Sequence, residues 1–155
     1  MKVFISYGAA ADQVTALRLQ ALGVVNGLTV YVPPAHTRQG VEVLLDPESA
    51  QKLSEAEVVL GVVGAGLAEA CRQELNAAMA LRKNMIIMSY PAFAYQLQQY
   101  FTNLVVIDPA NPDEAEVGIV GRLKAINAQQ NAKKALLALG TLALGLLLFA
   151  SVDRD

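Results

Sequence analysis

Residues 57–63 read Glu-Val-Val-Leu-Gly-Val-Val, and after the glutamate six consecutive positions carry no polar side chain. A strand with one face in water alternates apolar and polar residues. An unbroken apolar run of this length predicts burial on both faces, as in an interior strand of a parallel sheet. Upstream, Asp46-Pro47-Glu48 has the form of a helix start, with proline at the first helical position and an acid behind it, and that helix is expected to reach about Ser54. Residues 28–32 (LTVYV) read as a strand, ended by Pro33-Pro34, neither of which can donate to a ladder. Before it, Asp12 is placed to cap a helix in which Val14, Leu17, Ala21, Leu22 and Val25 recur at helical spacing, and Asn26-Gly27 stops that helix. Residues 2–7 (KVFISY) form the first strand.

Downstream, Gly64-Ala65-Gly66 is a turn and residues 67–82 are helix-like. Residues 85–88 (MIIM) and 104–107 (LVVI) are strands on either side of a short helix over 93–101, and Asn111-Pro112-Asp113-Glu114 opens another helix. Strands alternating with helices five times predict an α/β domain around a parallel sheet. Such sheets take ligands outside the carboxyl ends of their strands. That directs attention to loops 8–11, 33–41, 64–70 and 89–92.

The chain has 155 residues, the length of one domain with an appendage, and its apolar fraction of 54% with 17% charged residues excludes intrinsic disorder. A net charge of −2, no basic run and no Trp argue against nucleic acid as a partner. Cys71 and His36 are the sole residues of their types, so neither an internal disulfide nor a Cys/His metal site can be built, and no metal is expected. The first residues, MKVFISY, start directly on a strand, so no secretory leader is expected. The glycines at 61, 64 and 66 do not spell the dinucleotide fingerprint, which would also follow the first strand.

Part of the apolar excess is local. Residues 135–152 (ALLALGTLALGLLLFASV) include eight Leu and no charge. Eighteen residues at 1.5 Å rise cover about 27 Å, near the length of a membrane span. Lys133 and Lys134 precede the run, which by the positive-inside rule would leave the preceding domain in the cytoplasm. The sequence therefore predicts a domain over 1–130, and over 131–155 a juxtamembrane segment with a single-pass transmembrane helix. Thr141 and Gly145 within the run have the small-xxx-small spacing that permits close helix packing.

Phe4-Ile5-Ser6-Tyr7 resembles the opening FISY signature of Toll/interleukin-1 receptor (TIR) domains, and the order of later elements over roughly residues 1–130 is similar too. The resemblance implies a flavodoxin-like TIR fold of the prokaryotic type: a five-stranded parallel sheet with helices on both faces. It also implies NAD cleavage, with release of nicotinamide and an ADP-ribose product, and a place in antiviral defence. In NAD-consuming members a helix after the third strand carries a catalytic glutamate, often in a Trp-x-x-x-Glu pattern. That register makes Glu74 catalytic, with Ala70 at the Trp position. It places substrate against Ser6, Tyr7 and Gly8 of the first strand end and Pro33 and Arg38 of the next loop. NAD would be substrate, with no cofactor. Membrane attachment, homo-oligomers through TIR contacts and a partner defence protein are implied as well.

The chemistry is consistent with one carboxylate. Cleaving the nicotinamide–ribose bond develops positive charge on the ribose, which a carboxylate beside it stabilises. Cys71, three residues before Glu74, shares its helix face and reads as a small buried hydrophobe. Two alternatives stand beside the NAD-cleaving reading. One is a catalytically silent TIR scaffold assembling at the membrane. The other is a nucleoside 2-deoxyribosyltransferase-like enzyme, of related fold and also using a glutamate.

Overall fold

The structure, a computed structural model, describes residues 1–38 and 45–152, with side chains as far as residue 137. Two compact units divide the chain, Met1–Val120 and Gly121–Asp155. The first contains five strands, β1 (Lys2–Tyr7), β2 (Thr29–Tyr31), β3 (Val58–Val63), β4 (Asn84–Ser89) and β5 (Leu104–Val106). Between them run α1 (Gln13–Val25), α2 (Pro47–Glu55), α3 (Glu69–Ala80) and α4 (Pro91–Leu97); α5 (Pro112–Val152) starts in this unit and continues into the second. All pairings are parallel, in the order β2-β1-β3-β4-β5. The α/β architecture and its parallel sheet are those expected from the alternating pattern.

Local chemistry explains the element ends. Asp46 caps α2 by accepting the Ser49 N–H at 3.0 Å, with Pro47 at the first helical position. Gly27 closes α1 at φ +78°, the left-handed conformation that glycine adopts without steric cost. The short helix expected over 93–101 instead starts at Pro91, another N-terminal proline, and stops at Leu97. β3 is buried at all six positions because it lies between β1 and β4 with helices over both faces.

Right-handed crossovers carry α1 to one face of this sheet and α2, α3 and α4 to the other. The second face is filled by Phe4, Val59, Val63 and Ile87 from the strands against Leu53, Cys71, Leu75 and Leu97 from the helices. On the first face Arg18 of α1 reaches Asp113 and, at 3.1 Å, Glu116 in the opening turns of α5. Because β2 lies outside β1 while β4 lies outside β3, the connections leaving β1 and β3 diverge. The crevice between them, at the carboxyl ends, is the switch point where doubly wound sheets bind ligands.

The expected transmembrane helix is corrected here. Among the described residues no helix is long and apolar enough to cross a membrane. The run at 135–152 is not an element of its own but the end of α5, whose earlier turns carry Asp113, Glu114, Glu116, Arg122, Lys124, Lys133 and Lys134. Most of that run, 138–152, and with it Thr141 and Gly145, lies outside the residues whose side chains are described. The single-pass membrane localisation with a cytoplasmic domain, which rested on that span, is overturned with it.

Gly8 marks the tightest approach in the crevice. Its N–H donates to the Val62 carbonyl at 2.7 Å, its carbonyl accepts the Ala68 N–H at 2.6 Å, and a Cβ would lie 1.8 Å from the Gly66 carbonyl oxygen. Backbone, not a flexible side chain, fills that space. Gly8→Ala should therefore destabilise the domain by about 3 kcal/mol, lowering Tm by roughly 10 °C. Thermal unfolding followed by circular dichroism checks this, and an unchanged Tm would contradict the packing described.

Candidate functional site

Two carboxylates are buried at the divergence of β1 and β3. Asp12 stands between the end of β1 and the start of α1. Its Oδ1 accepts the Gly64 N–H at 3.1 Å and the Ala65 N–H at 2.9 Å, and its Oδ2 accepts the Ala9 N–H at 3.0 Å. The expectation that Asp12 caps α1 is thus corrected: its side chain makes no capping bond to that helix and ties the β1 loop to the β3 loop instead. Burial pushes its carboxyl upward, against the three backbone donors, which pull it down.

Glu74 is the second. It lies on α3, and its side chain is 3% exposed. The Ser6 hydroxyl donates to its Oε2 at 2.5 Å. Arg38 Nη1 lies 2.8 Å from both Oε1 and Oε2. Among the described residues Oε2 therefore has two partners and Oε1 has only Arg38. Burial raises the Glu74 carboxyl above the ordinary glutamate range, while Arg38 and then Ser6 pull the other way.

α3 can reach this point because β3 carries a glycine beside Ser6. Ser6 pairs with Gly61 in the sheet, and a Cβ at Gly61 would meet Leu75 Cδ2 at 3.2 Å and Ile87 Cδ1 at 2.7 Å. Ser6 points to the α3 face because it alternates with Tyr7 along β1. Its oxygen also lies 3.1 Å from Cys71 Sγ. With the one Ser6 proton directed at the carboxylate, the Cys71 S–H is the donor in that contact. Cys71 is fully buried, and burial pushes its thiol up to about 12, so it stays neutral.

Arg38 closes the second short helical turn of the chain, Ala35–Arg38, which follows Pro33-Pro34. Its Cζ sits 3.8 Å from the centroid of the Tyr7 ring, and its Nη2 donates to the Tyr7 carbonyl. The Tyr7 hydroxyl in turn donates to the Pro33 carbonyl at 3.0 Å, fixing the start of the segment that delivers Arg38. The structure thus brings Ser6, Tyr7, Pro33, Arg38 and Glu74 into one connected set. Gly8 borders the set through its packing contacts, not through a side chain. The remainder of the 33–41 loop, residues 39–41 with Gly40, lies outside the described residues. His36 is exposed and makes no part of the set. Among the described residues no group of three or more His, Cys, Asp or Glu is placed to hold a metal ion.

Beside the set lies a pocket of about 130 Å³, bounded by the 8–10 turn, the start of α1, Ala35 and Arg38, and the start of α3. Arg38 lines it and Glu74 does not, so Arg38 is the residue that the pocket and the carboxylate share. Sequence reading missed Asp12 as a clamp and overlooked Gln13, which lines the pocket. The available signal was position: both follow β1 directly, where the chain passes over the strand ends.

No family model and no curated protein matches this chain. A solved structure of a 2-deoxyribosyltransferase from the psychrotolerant bacterium Bacillus psychrosaccharolyticus, described as a biocatalyst for the industrial synthesis of antiviral and antitumoral nucleosides, is similar at 17% identity and a TM-score of 0.45. The alignment covers 57% of this chain and 72% of that one. A likeness of that degree transfers no function, and the chemistry has to be argued from the side chains present. The membership expected of a TIR domain is overturned: no family model matches the chain, and the similar structure named above is a nucleoside transferase. The expected place in antiviral defence falls with it, and NAD cleavage is left without support. The physical reason is that Phe-Ile-Ser-Tyr is what an interior parallel strand becomes when it ends at a polar crevice. Such a segment is not specific to one family.

Asp12→Ala would leave the N–H groups of Ala9, Gly64 and Ala65 without their acceptor. The expected cost is about 3 kcal/mol, with a fall in Tm of roughly 10 °C. Denaturant unfolding measures it; a loss below about 0.5 kcal/mol would show that the clamp is not needed.

Proposed function

We propose that this chain is an enzyme that breaks the N-glycosidic bond between base and pentose in a nucleoside, with Glu74 as the carboxylate that meets the anomeric carbon. One observation carries the reading. A buried carboxylate sits at the switch-point crevice, and among the described residues its Oε1 is held by a single side chain on a short turn, a partner that can be withdrawn. Clusters of buried titratable groups in a cleft are where proton and bond chemistry is usually performed.

In this reaction the C1′–N bond breaks, the base leaves with the electron pair and takes up a proton, and positive charge develops on C1′ and the ring oxygen. Glu74 Oε1 bonds to C1′, giving a pentosyl ester. Water, or a nitrogen of a second base, then attacks C1′, loses its proton, and releases Glu74 as carboxylate. Water as acceptor makes the enzyme a hydrolase; a base makes it a transferase. Ser6 holds Oε2 throughout, so Oε1 is the oxygen presented. Arg38 has to leave Oε1 for the pentose to arrive, and its stacking on Tyr7 offers it a place to remain.

The direct experiment incubates the full chain with a panel of ribo- and 2′-deoxyribonucleosides and, separately, with NAD, with and without an acceptor base, and follows free base by chromatography. The wild type should release base, and Glu74→Gln should lose on the order of 10²–10³ in rate while remaining folded. Three outcomes overturn the proposal: no release from any nucleoside, full activity in Glu74→Gln, or release only of nicotinamide from NAD.

The pH dependence has a definite sign. Glu74 must be ionised to attack, and burial raises its carboxyl, so activity should fall as pH drops through a value above the ordinary glutamate range. Arg38 pulls that value down. Arg38→Met should therefore move the acid limb of the pH–rate profile to higher pH. A limb that stays in place or moves lower would show that Arg38 does not face the working carboxylate.

A further inference from the structure

The pocket beside Glu74 has a composition of its own. Ala9, Ala10, Ala35, Ala68 and Ala70 supply most of its wall, and none of them can reach into the space or donate a side-chain hydrogen bond. Smooth walls of this kind suit a flat, rigid group. At about 130 Å³ the pocket is close to the roughly 150 Å³ cavity that holds benzene, so it matches one six-membered ring, and the second ring of a purine would extend beyond the lining residues.

Its polar side chains are three, and two are committed. The Tyr7 hydroxyl donates to Pro33, and Arg38 is engaged by Glu74 and the Tyr7 carbonyl. The third is Gln13, the first residue of α1, half-buried, whose side-chain amide has no hydrogen-bond partner among the described residues. A primary amide offers one acceptor and one donor side by side. That pair matches the adjacent donor and acceptor on the edge of a pyrimidine base: N3–H with a ring carbonyl in uracil and thymine, or the exocyclic amino group with N3 in cytosine, after an amide flip.

We infer that this pocket is the base subsite, that it takes a single-ring pyrimidine, and that Gln13 is the specificity-determining residue that reads its edge. The inference rests on the nucleoside reading and makes it more specific. Ala70 contributes by being small. A bulky side chain at that position, one helical turn before Glu74, would occupy the ring's place. The pocket and the carboxylate share Arg38, which lines the one and bonds the other, so a base in the pocket lies next to the side chain that has to leave Oε1.

The test measures binding apart from turnover. Wild-type protein is titrated with cytosine, uracil, thymine, adenine, hypoxanthine and nicotinamide by ligand-observed NMR. The pyrimidines should bind, with the purines at least about tenfold weaker. Gln13→Leu, the same shape without the amide, should weaken the pyrimidines about tenfold, the effect of roughly 1.4 kcal/mol. Gln13→Glu keeps an acceptor and loses the donor, so one acceptor on the edge of every pyrimidine is left unpaired and all three should bind more weakly than to the wild type. Ala68→Phe, at an exposed position, fills the pocket and should abolish base binding; it carries the test if the Gln13 variants fold poorly.

Purines binding as tightly as pyrimidines, nicotinamide alone binding, unchanged affinity in Gln13→Leu, or binding that survives Ala68→Phe would each overturn the inference. The two readings fail separately. Pyrimidine binding lost in Gln13→Leu with no nucleoside cleaved by wild type sinks the enzyme reading and leaves the subsite. Cleavage that depends on Glu74 but ignores both Gln13 and ring size does the reverse.

Discussion

The divergence of the chain after β1 and β3 governs everything at this end of the sheet. Two adjacent parallel strands send their connections to opposite faces, and the backbone polar groups left between them must find partners without a ladder. Asp12 provides one solution, accepting from three backbone N–H groups on two loops. Glu74 provides a different one, held entirely by side chains. Both carboxyls are pushed up by burial, but they are not equivalent. Donors that belong to the backbone cannot withdraw without unfolding the loops, whereas a guanidinium on a short turn can rotate away. The same physical cost therefore yields a structural clamp in one case and an available functional group in the other.

Small residues make the arrangement possible. Gly8 lets the β1 loop touch the β3 loop, and a Cβ at Gly64 would meet the Asp12 carboxylate at 2.6 Å. Gly61 lets α3 settle close enough for Glu74 to reach Ser6. Where the backbone does not need the closeness, alanine replaces glycine, and the result is a lined space in place of a contact. The pocket is in this sense the outer edge of the same packing device: glycines set the distance between the loops, and alanines leave the room that remains.

The fold was legible because its signals are local and redundant. An unbroken apolar run marks β3, prolines open α2 and α5, and Asn26-Gly27 closes α1; each follows from backbone chemistry alone. Strand order was not legible from those signals, since it depends on which edges meet in space. At the site, Ser6, Tyr7, Arg38 and Glu74 come from the family resemblance and not from residue chemistry, and the structure brings these four residues together. Asp12 was misread because a carboxylate ahead of a helix has a local use, capping, that competes in the reader's eye with a distant one. Gln13 carried no signal beyond its position after β1, since an amide at a helix start is ordinary until a cavity is seen beside it. The family resemblance misled for a related reason: a short strand motif and an order of elements describe a topology that many chains share.

Charge accounts for how such a site can rest and work. Around Glu74, among the described residues, stand a hydroxyl from Ser6, a thiol from Cys71 held neutral by burial, and one cation, Arg38. An unpaired buried carboxylate is costly, so whatever displaces Arg38 from Oε1 must either protonate the carboxyl or bring positive charge of its own. A neutral pentose does neither in its ground state. As the bond to the base lengthens, however, charge develops at C1′, at the position the guanidinium has left. In the proposed reaction the transition state therefore replaces the cation that the resting site already requires, and the carboxylate is better matched to the reacting sugar than to the bound one. Complementarity of that order, stronger in the transition state than in the ground state, is what accelerates a chemical step.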